Sequence, residues 1–464
     1  MGRIGILFLD NFSTKKLIKS NDLVFSIYGL GYVGLTLAAV WLRAGAKVIG
    51  VDVDASKVNE IMNLQHKFVE PEIEEAIKRG ISEGKFLATL DGIAAAKESD
   101  VKIVTVPVYL KDGAPDLSAI RSVAEVISKG ITRGDLVVVE SSVPPGTTLF
   151  IGKIIEEMSG LKMEDDFGLG YSPERIYIGR GVRDIEERYP KIISGVGPKS
   201  TRALKALYEV VCKKGVLEAS DPIVAELEKL FEGVYRDVNI ALANELARLC
   251  SALGVDYNEV RKLANSQPFC HLHKPGAGVG GACIPVYPLF IKKAAEEVGE
   301  PLELVTLSRS VNLRQPKHIS NLCVKATEIL GLSKARVAIL GLAFRGDIDD
   351  TRLSPTYSII NCLLNSIRNC DVIVHDPYVA YDRILLDMNI SLTQNLHEAL
   401  KSRNIVVIAT NHTIYSNLTL REIMQTTESK KVAIIDAHNI IKDWKKPPKG
   451  CVYVGSGRPW VINI

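Results

Sequence analysis

The chain has 464 residues, 47% of them hydrophobic and 24% charged, with a net charge of +3. Such a length requires two or three packed cores in an ordinary globular protein, and the near balance of charge argues against a nucleic-acid binder, which would carry a basic stripe. Eight cysteines with no CxxC pair and no compact spacing exclude a disulfide framework and read as free thiols of a cytoplasmic chain; the Cys270-His271-Leu272-His273 cluster has no second group of ligands, so no metal is expected.

Residues 1–20 include a short apolar piece, Ile4 to Leu9, without a small-residue cleavage site behind it, and are read as an N-terminal extension rather than a signal peptide. Leu23 to Leu42 then runs 20 residues without a charge, long enough to cross a membrane. Gly29, Gly31 and Gly34 inside the run point instead to a buried strand, a tight turn and a helix, so no membrane is expected as a partner. Val24 to Val53 thus reads as strand, G-x-G-x-x-G turn, helix and strand. Gly29 makes the turn, Gly31 lets the backbone approach a pyrophosphate, and Gly34 lets helix and strand pack closely, with Tyr32 and Val33 between them on the cofactor-binding stretch. Asp52 closes the second strand 21 residues after Gly31, where a carboxylate accepts from both ribose hydroxyls and repels a 2′-phosphate, which favours NAD over NADP.

Strands are expected at Val101 to Val106, Leu136 to Val139 and Phe167 to Tyr171, alternating with helices in a parallel, doubly wound sheet. Loops at the carboxyl ends of these strands carry Ser142, in ESSVPPGT, and Glu174, in YSPER, where ligands of such sheets sit. From Ile223 to Val260 apolar residues recur at helical spacing, which predicts one long helix carrying Lys229 and offering a dimer surface. Next comes KPGAGVGGACIPVYPLF, a glycine-rich loop that presents Cys283 between flexible glycines and two stiffening prolines. A second nucleotide-binding-like unit opens at Ala335 with ARVAILGLAFRGDIDDTRLSP, where Arg345 and Arg352 have the forked guanidinium that suits a diphosphate.

GVGGACIP resembles the GVGGxCIP signature of the UDP-glucose/GDP-mannose dehydrogenase family, the nucleotide-sugar 6-dehydrogenases, and the VxP continuation is similar to the branch acting on UDP-N-acetylhexosamines. The ESSVPPGT and SPER loops, the helix AELEKLFEGVYRDVNIALANEL and the GLAFRG…DDTRLSP loop also resemble the family, so that matches spread from about residue 24 to 440. The resemblance implies an α/β fold of two Rossmann-like doubly wound domains joined by a central helical domain with a long helix: 21–215 for NAD, 216–330 for dimerisation and the cysteine loop, and 331–464 for the UDP-sugar. It also implies a four-electron, NAD-dependent oxidation of the C6 alcohol of a UDP-sugar, with UDP-N-acetyl-D-mannosamine first, UDP-N-acetylglucosamine or UDP-glucose as alternatives, and a catalytically weak binding homologue as the other reading. Cys283 would be the nucleophile and Lys229 the oxyanion-stabilising cation, while Glu174 and Ser142 would orient water or take a proton, Ser142 also lying against the cofactor. Arg314, Arg345, Arg352, Gly278 and Gly280 would hold the substrate, in a homodimer. The chain departs from the family's pattern at Gly233 (asparagine), Tyr287 (aspartate), Ala282 (histidine), Arg345 (lysine) and His438 (arginine).

Overall fold

The uncharged run Leu23 to Leu42 divides as its glycines require: strand Val24–Tyr28 leads into helix Tyr32–Ala44, and the return strand Lys47–Val51 pairs beside the first in parallel. The structure is a computed structural model that describes residues 5–20 and 22–464. Among these, no helix is long and apolar enough to cross a membrane. The chain divides into two compact units, Met1–Phe231 with Leu289–Val298, and Glu232–Pro288 with Gly299–Ile464.

In the first unit an eight-stranded sheet runs, from edge to edge, Val216–Glu218, Lys191–Gly195, Gly168–Tyr171, Leu136–Val139, Val101–Val104, Val24–Tyr28, Lys47–Val51 and Phe86–Thr89. Its middle strands are buried on both faces and accordingly read as continuous apolar runs, LVVV and VKIV. Lys102 interrupts one of them, and its ammonium meets the buried Asp135 carboxylate at 2.5 Å. The sequence predicts a parallel sheet, and one pair departs from it: Gly168–Tyr171 and Lys191–Gly195 run antiparallel. The strand expected to reach Val106 stops at Val104, and beyond it Thr105 Oγ1 donates to the carbonyl of Gly29 at 2.8 Å.

The extension ahead of this unit is folded onto it. Ile6, Leu7 and Ile18 are fully buried, Asp10 caps the helix Asn11–Lys19 through the Ser13 N–H, and Lys15 pairs with Glu209 of the helix Pro198–Val211 at 2.9 Å. Of the extension's apolar piece, Ile4 lies outside the described residues.

A seven-stranded sheet forms the base of the second unit, in the order Ser391–Thr393, Cys370–His375, Ala335–Leu340, Ile405–Ile408, Val432–Asp436, Cys451–Gly455, Arg458–Asn463; it is parallel up to its last, antiparallel pair. The long helix predicted to reach Val260 ends at Ala252. Gly254, at φ 77, breaks it, and the chain resumes as the separate helix Tyr257–Ala264, capped by Asp256. The helix Glu303–Leu330 ends at Gly331 in the left-handed conformation.

Candidate active site

In the first unit the glycine turn forms a cradle. Gly29 has φ 103, and a Cβ on Gly34 would overlap the Gly29 carbonyl oxygen, so no other residue allows this strand and helix to close up. A Cβ on Gly31 would meet nothing within 4 Å, which leaves open space at the N-terminus of the helix Tyr32–Ala44, where backbone N–H groups favour an anion. Asp52 accepts from the Leu30 N–H at 2.8 Å and from the Lys57 ammonium at 3.0 Å. Burial opposes the charge on Asp52, but the N–H of Asp54, the Lys57 ammonium and the Leu30 N–H together hold its carboxyl below the usual range. These residues fit NAD: open space for the pyrophosphate and an ionised acceptor for the ribose. Val33 is half-buried, and Tyr32 turns its hydroxyl aside to donate to Glu70 and to the carbonyl of Tyr177, 3.1 Å away.

The loops after the middle strands converge on a buried charged cluster. Lys191 donates to Glu140 at 2.6 Å, to Glu174 at 3.3 Å and to the Pro173 carbonyl at 3.2 Å, while Tyr208 donates to the other oxygen of Glu140. Burial works against the Lys191 charge, yet the two carboxylates outweigh it and raise its pKa. The Glu174 carboxylate is turned inward, held by Lys191 and by the Ile176 N–H at 2.7 Å. What this loop offers Lys229 is the main-chain carbonyl of Glu174, to which Lys229 Nζ donates. Three residues before Lys229 on the same helix, the fully buried Glu226 accepts from the N–H groups of Gly146 at 2.5 Å and Thr148 at 2.8 Å. It thereby fixes the PPGT turn beyond the half-buried Ser142.

The cysteine loop belongs to the second unit. Cys283 is exposed, and its carbonyl accepts from the N–H groups of Val286 and Tyr287, both at 3.0 Å, at the start of the helix Tyr287–Val298. The glycines ahead of it approach the chain's own 344–355 loop: Gly281, at φ 89, donates to the Arg352 carbonyl at 2.8 Å, and a Cβ on Gly280 would lie 2.7 Å from the Leu353 carbonyl oxygen. A Cβ on Gly278 would lie 3.0 Å from Pro355. Arg352 is exposed and forks onto Asp350 of its own turn, Nε to Oδ1 at 2.9 Å. Arg345 is half-buried on the same loop, and Arg314 is exposed on the helix Glu303–Leu330.

This unit has an acid where the first unit has Asp52. Asp376 follows the strand Cys370–His375 and accepts from the N–H groups of Leu342 at 2.8 Å and Ala343 at 2.9 Å, but His412 Nε2 covers it at 3.0 Å. Both strand-end acids are thus engaged by their own chain, Asp52 by Lys57 and Asp376 by His412.

Residues 24–212 match the NAD-binding domain of the UDP-glucose/GDP-mannose dehydrogenase family, 223–314 its central domain and 338–443 its UDP-binding domain. The chain belongs to the UDP-glucose/GDP-mannose dehydrogenase family. As a member it is an NAD-dependent nucleotide-sugar dehydrogenase. It is 36% identical over 440 residues to a UDP-N-acetyl-D-mannosamine dehydrogenase of Pyrococcus horikoshii, which covers 93% of this chain and 99% of the relative. The solved structure of a UDP-N-acetyl-D-mannosamine dehydrogenase from that organism superimposes with a TM-score of 0.84 at 33% identity, covering 94% of this chain and 99% of that one. An NDP-N-acetyl-D-galactosaminuronic acid dehydrogenase from Methanosarcina mazei superimposes at 0.82 with 30% identity, covering 97% and 98%.

Sequence reasoning did not find Lys191, Glu226 or His412 in this family member. Lys191 stands in KIISG, which reads as a strand edge, and its acidic partner Glu140 is 51 residues away. Glu226 sits in the same AELEKLFEGVYRDVNIALANEL helix, and a carboxylate three residues before an expected active-site lysine is the available signal.

Proposed function

We propose that this chain oxidises the C6 alcohol of a UDP-N-acetylhexosamine, UDP-N-acetyl-D-mannosamine first, to the carboxylate, in three functional segments of 21–215, 216–330 and 331–464. The observation that carries the reading is the exposed Cys283 at the end of a loop packed onto the 344–355 loop of the UDP-binding domain. The names of the 30–36% identical relatives supply the sugar. Gly29, Gly31, Gly34 and Asp52 would hold NAD, which when bound would supply the hydride acceptor for each of two oxidations. The Cys283 thiolate adds to the C6 aldehyde, giving a thiohemiacetal whose oxidation yields a thioester, and water hydrolyses it to the carboxylate. Lys229, oriented by the Glu174 carbonyl, stabilises oxyanions at C6 as a fixed cation. Glu174 serves through its backbone and its anchorage on Lys191. Ser142 lies against the cofactor and orients water. Arg314, Arg345 and Arg352 take the diphosphate, for which Arg352 must exchange Asp350 for phosphate oxygens.

The long helix leaves Tyr235, Leu242 and Leu249 exposed along one stripe, and we assign that stripe to a homodimer. Eight unpaired cysteines support a cytoplasmic location, and a uronate product suits polysaccharide assembly. The test is NADH formed per sugar over a panel of UDP-sugars. Two NADH per UDP-N-acetyl-D-mannosamine, with the highest kcat/KM of the panel, is expected. Faster turnover of UDP-N-acetylglucosamine or UDP-glucose would move the substrate assignment, and no reduction of NAD with any of them would favour a binding homologue.

A further inference from the structure

We infer that a buried chain of amides, polarised by Asp237 at one end and Arg248 at the other, is a positioning device for the cysteine loop, acting on both main-chain groups of Gly276. The inference deepens the assignment of Cys283 as nucleophile and rests on it.

Gly276 donates its N–H to Asn244 Oδ1 at 3.0 Å and accepts at its carbonyl from Gln315 Nε2, also at 3.0 Å. A carboxamide has nearly the same shape either way round, so each of these side chains could present the wrong end and set like against like. Charges decide the matter. The Asp237 carboxylate accepts from Asn312 Nδ2 at 2.8 Å, and the Asp237 carbonyl accepts from the same nitrogen at 2.9 Å. Asn312 is therefore left with its oxygen facing Asn244, which donates Nδ2 to it at 3.2 Å and keeps its own oxygen for the Gly276 N–H. On the other branch Arg248 Nη1 donates to Gln315 Oε1 at 3.1 Å. A guanidinium has donors only, so Gln315 has its NH₂ left for the Gly276 carbonyl.

An acid thus appears at Gly276 as an acceptor and a base as a donor. Arg309 balances Asp237 at 2.8 Å, and Asp237, Asn244, Asn312 and Gln315 are each at most 1% exposed, so no solvent competes for these bonds. The His438 ring closes the remaining side, 3.1 Å from where a Cβ on Gly276 would lie. Ala277 follows into the apolar core, and Gly281 is held by the Arg352 carbonyl. Between and beyond these points the glycines supply slack, so the placement of Cys283 depends on where the loop is gripped. Such placement matters because displacing a reacting atom by about 1 Å costs a rate factor on the order of 100.

Gln315→Glu tests this in the full chain with NAD. It keeps the size and the acceptor for Arg248, removes the donor, and sets a carboxylate oxygen against the Gly276 carbonyl. Expected are a fall in carboxylate formation of about 100-fold, a drop from two NADH per sugar towards one with aldehyde released, and an unchanged KM for NAD. Amide exchange across 276–281 should quicken roughly tenfold, as the loss of one hydrogen bond implies. Arg248→Met, at a half-buried position, should act in the same direction more weakly, because it frees Gln315 to flip; it decides the matter if Gln315→Glu does not fold. Folded variants with two NADH per sugar at the wild-type rate and unchanged exchange would overturn the inference. Failure of the nucleophile assignment would appear differently, as Cys283→Ser retaining two NADH, and the exchange measurement does not depend on it.

Discussion

The ring of Tyr287 occupies the space a side chain at Gly233 would need: a Cβ built there would overlap Tyr287 Cδ2 and lie 3.2 Å from Cγ. The two departures from the family's pattern, Gly233 for asparagine and Tyr287 for aspartate, therefore share one space. Gly233→Asn alone is expected to overpack the site and cost about 1–3 kcal/mol. Combined with Tyr287→Asp, which removes the ring, it should cost less than the sum of the two single changes by about 0.5–3 kcal/mol. Denaturant midpoints of the four proteins measure this coupling, and strict additivity would mean that the ring moves aside freely.

Cofactor choice is expected to rest on Asp52. Asp52→Ala removes the ribose acceptor and also releases Lys57, now 3.0 Å from the carboxylate, to meet a 2′-phosphate. The ratio of kcat/KM for NADP over NAD should rise about tenfold or more, the equivalent of one interaction of about 1.4 kcal/mol. An unchanged ratio would remove Asp52 from the cofactor site.

Lys191→Met would leave the carboxylates of Glu140 and Glu174 buried without their shared cation, and breaking such a pair costs about 3–5 kcal/mol. Adding Glu140→Gln should recover part of that loss. Thermal unfolding of the single and double variants checks it; a single variant as stable as the parent would mean that the cluster contributes nothing to the fold.

Three histidines of the second unit are held neutral. Burial, then Arg248, pushes His318 down to about 4, and burial likewise lowers His375 and His438 against the nearby carbonyls of Gln394 and Ala409. In the unfolded chain these side chains protonate near pH 6.5. The unfolded state therefore takes up protons first as pH falls, and the stability these groups contribute is complete above about 6.5 and declines below it, for His318 down to about 4. The unfolding midpoint should drop over that window, and His318→Phe should flatten the slope.

Much of the fold was legible because its signals are local: glycine spacing in VFSIYGLGYVG, an acid at a strand end, apolar runs of strand length. The long helix was overextended because apolar residues continue through Val255 and Val260 at helical spacing, which hides the break at Gly254. The candidate site was legible as positions but not as orientations. YSPER names Glu174, but nothing in it says that the carboxylate turns inward to Lys191 while the carbonyl meets Lys229. Contacts spanning 51 residues for Lys191 and 80 for Glu226 are set by the topology, not by neighbouring residues.

The proposed covalent oxidation runs through Cys283, and Tyr287 bears on its last step. A tyrosine hydroxyl is a hydrogen-bond donor and acceptor, not the carboxylate base that an aspartate would be, so hydrolysis of the thioester is expected to be slow and the acyl-enzyme to accumulate. The direct measurement is mass spectrometry of enzyme quenched in acid during turnover of UDP-N-acetyl-D-mannosamine with NAD. The uronyl adduct is expected on the peptide containing Cys283 and is expected to be absent from Cys283→Ser. Two NADH per sugar from Cys283→Ser, with no adduct on the parent enzyme, would contradict it.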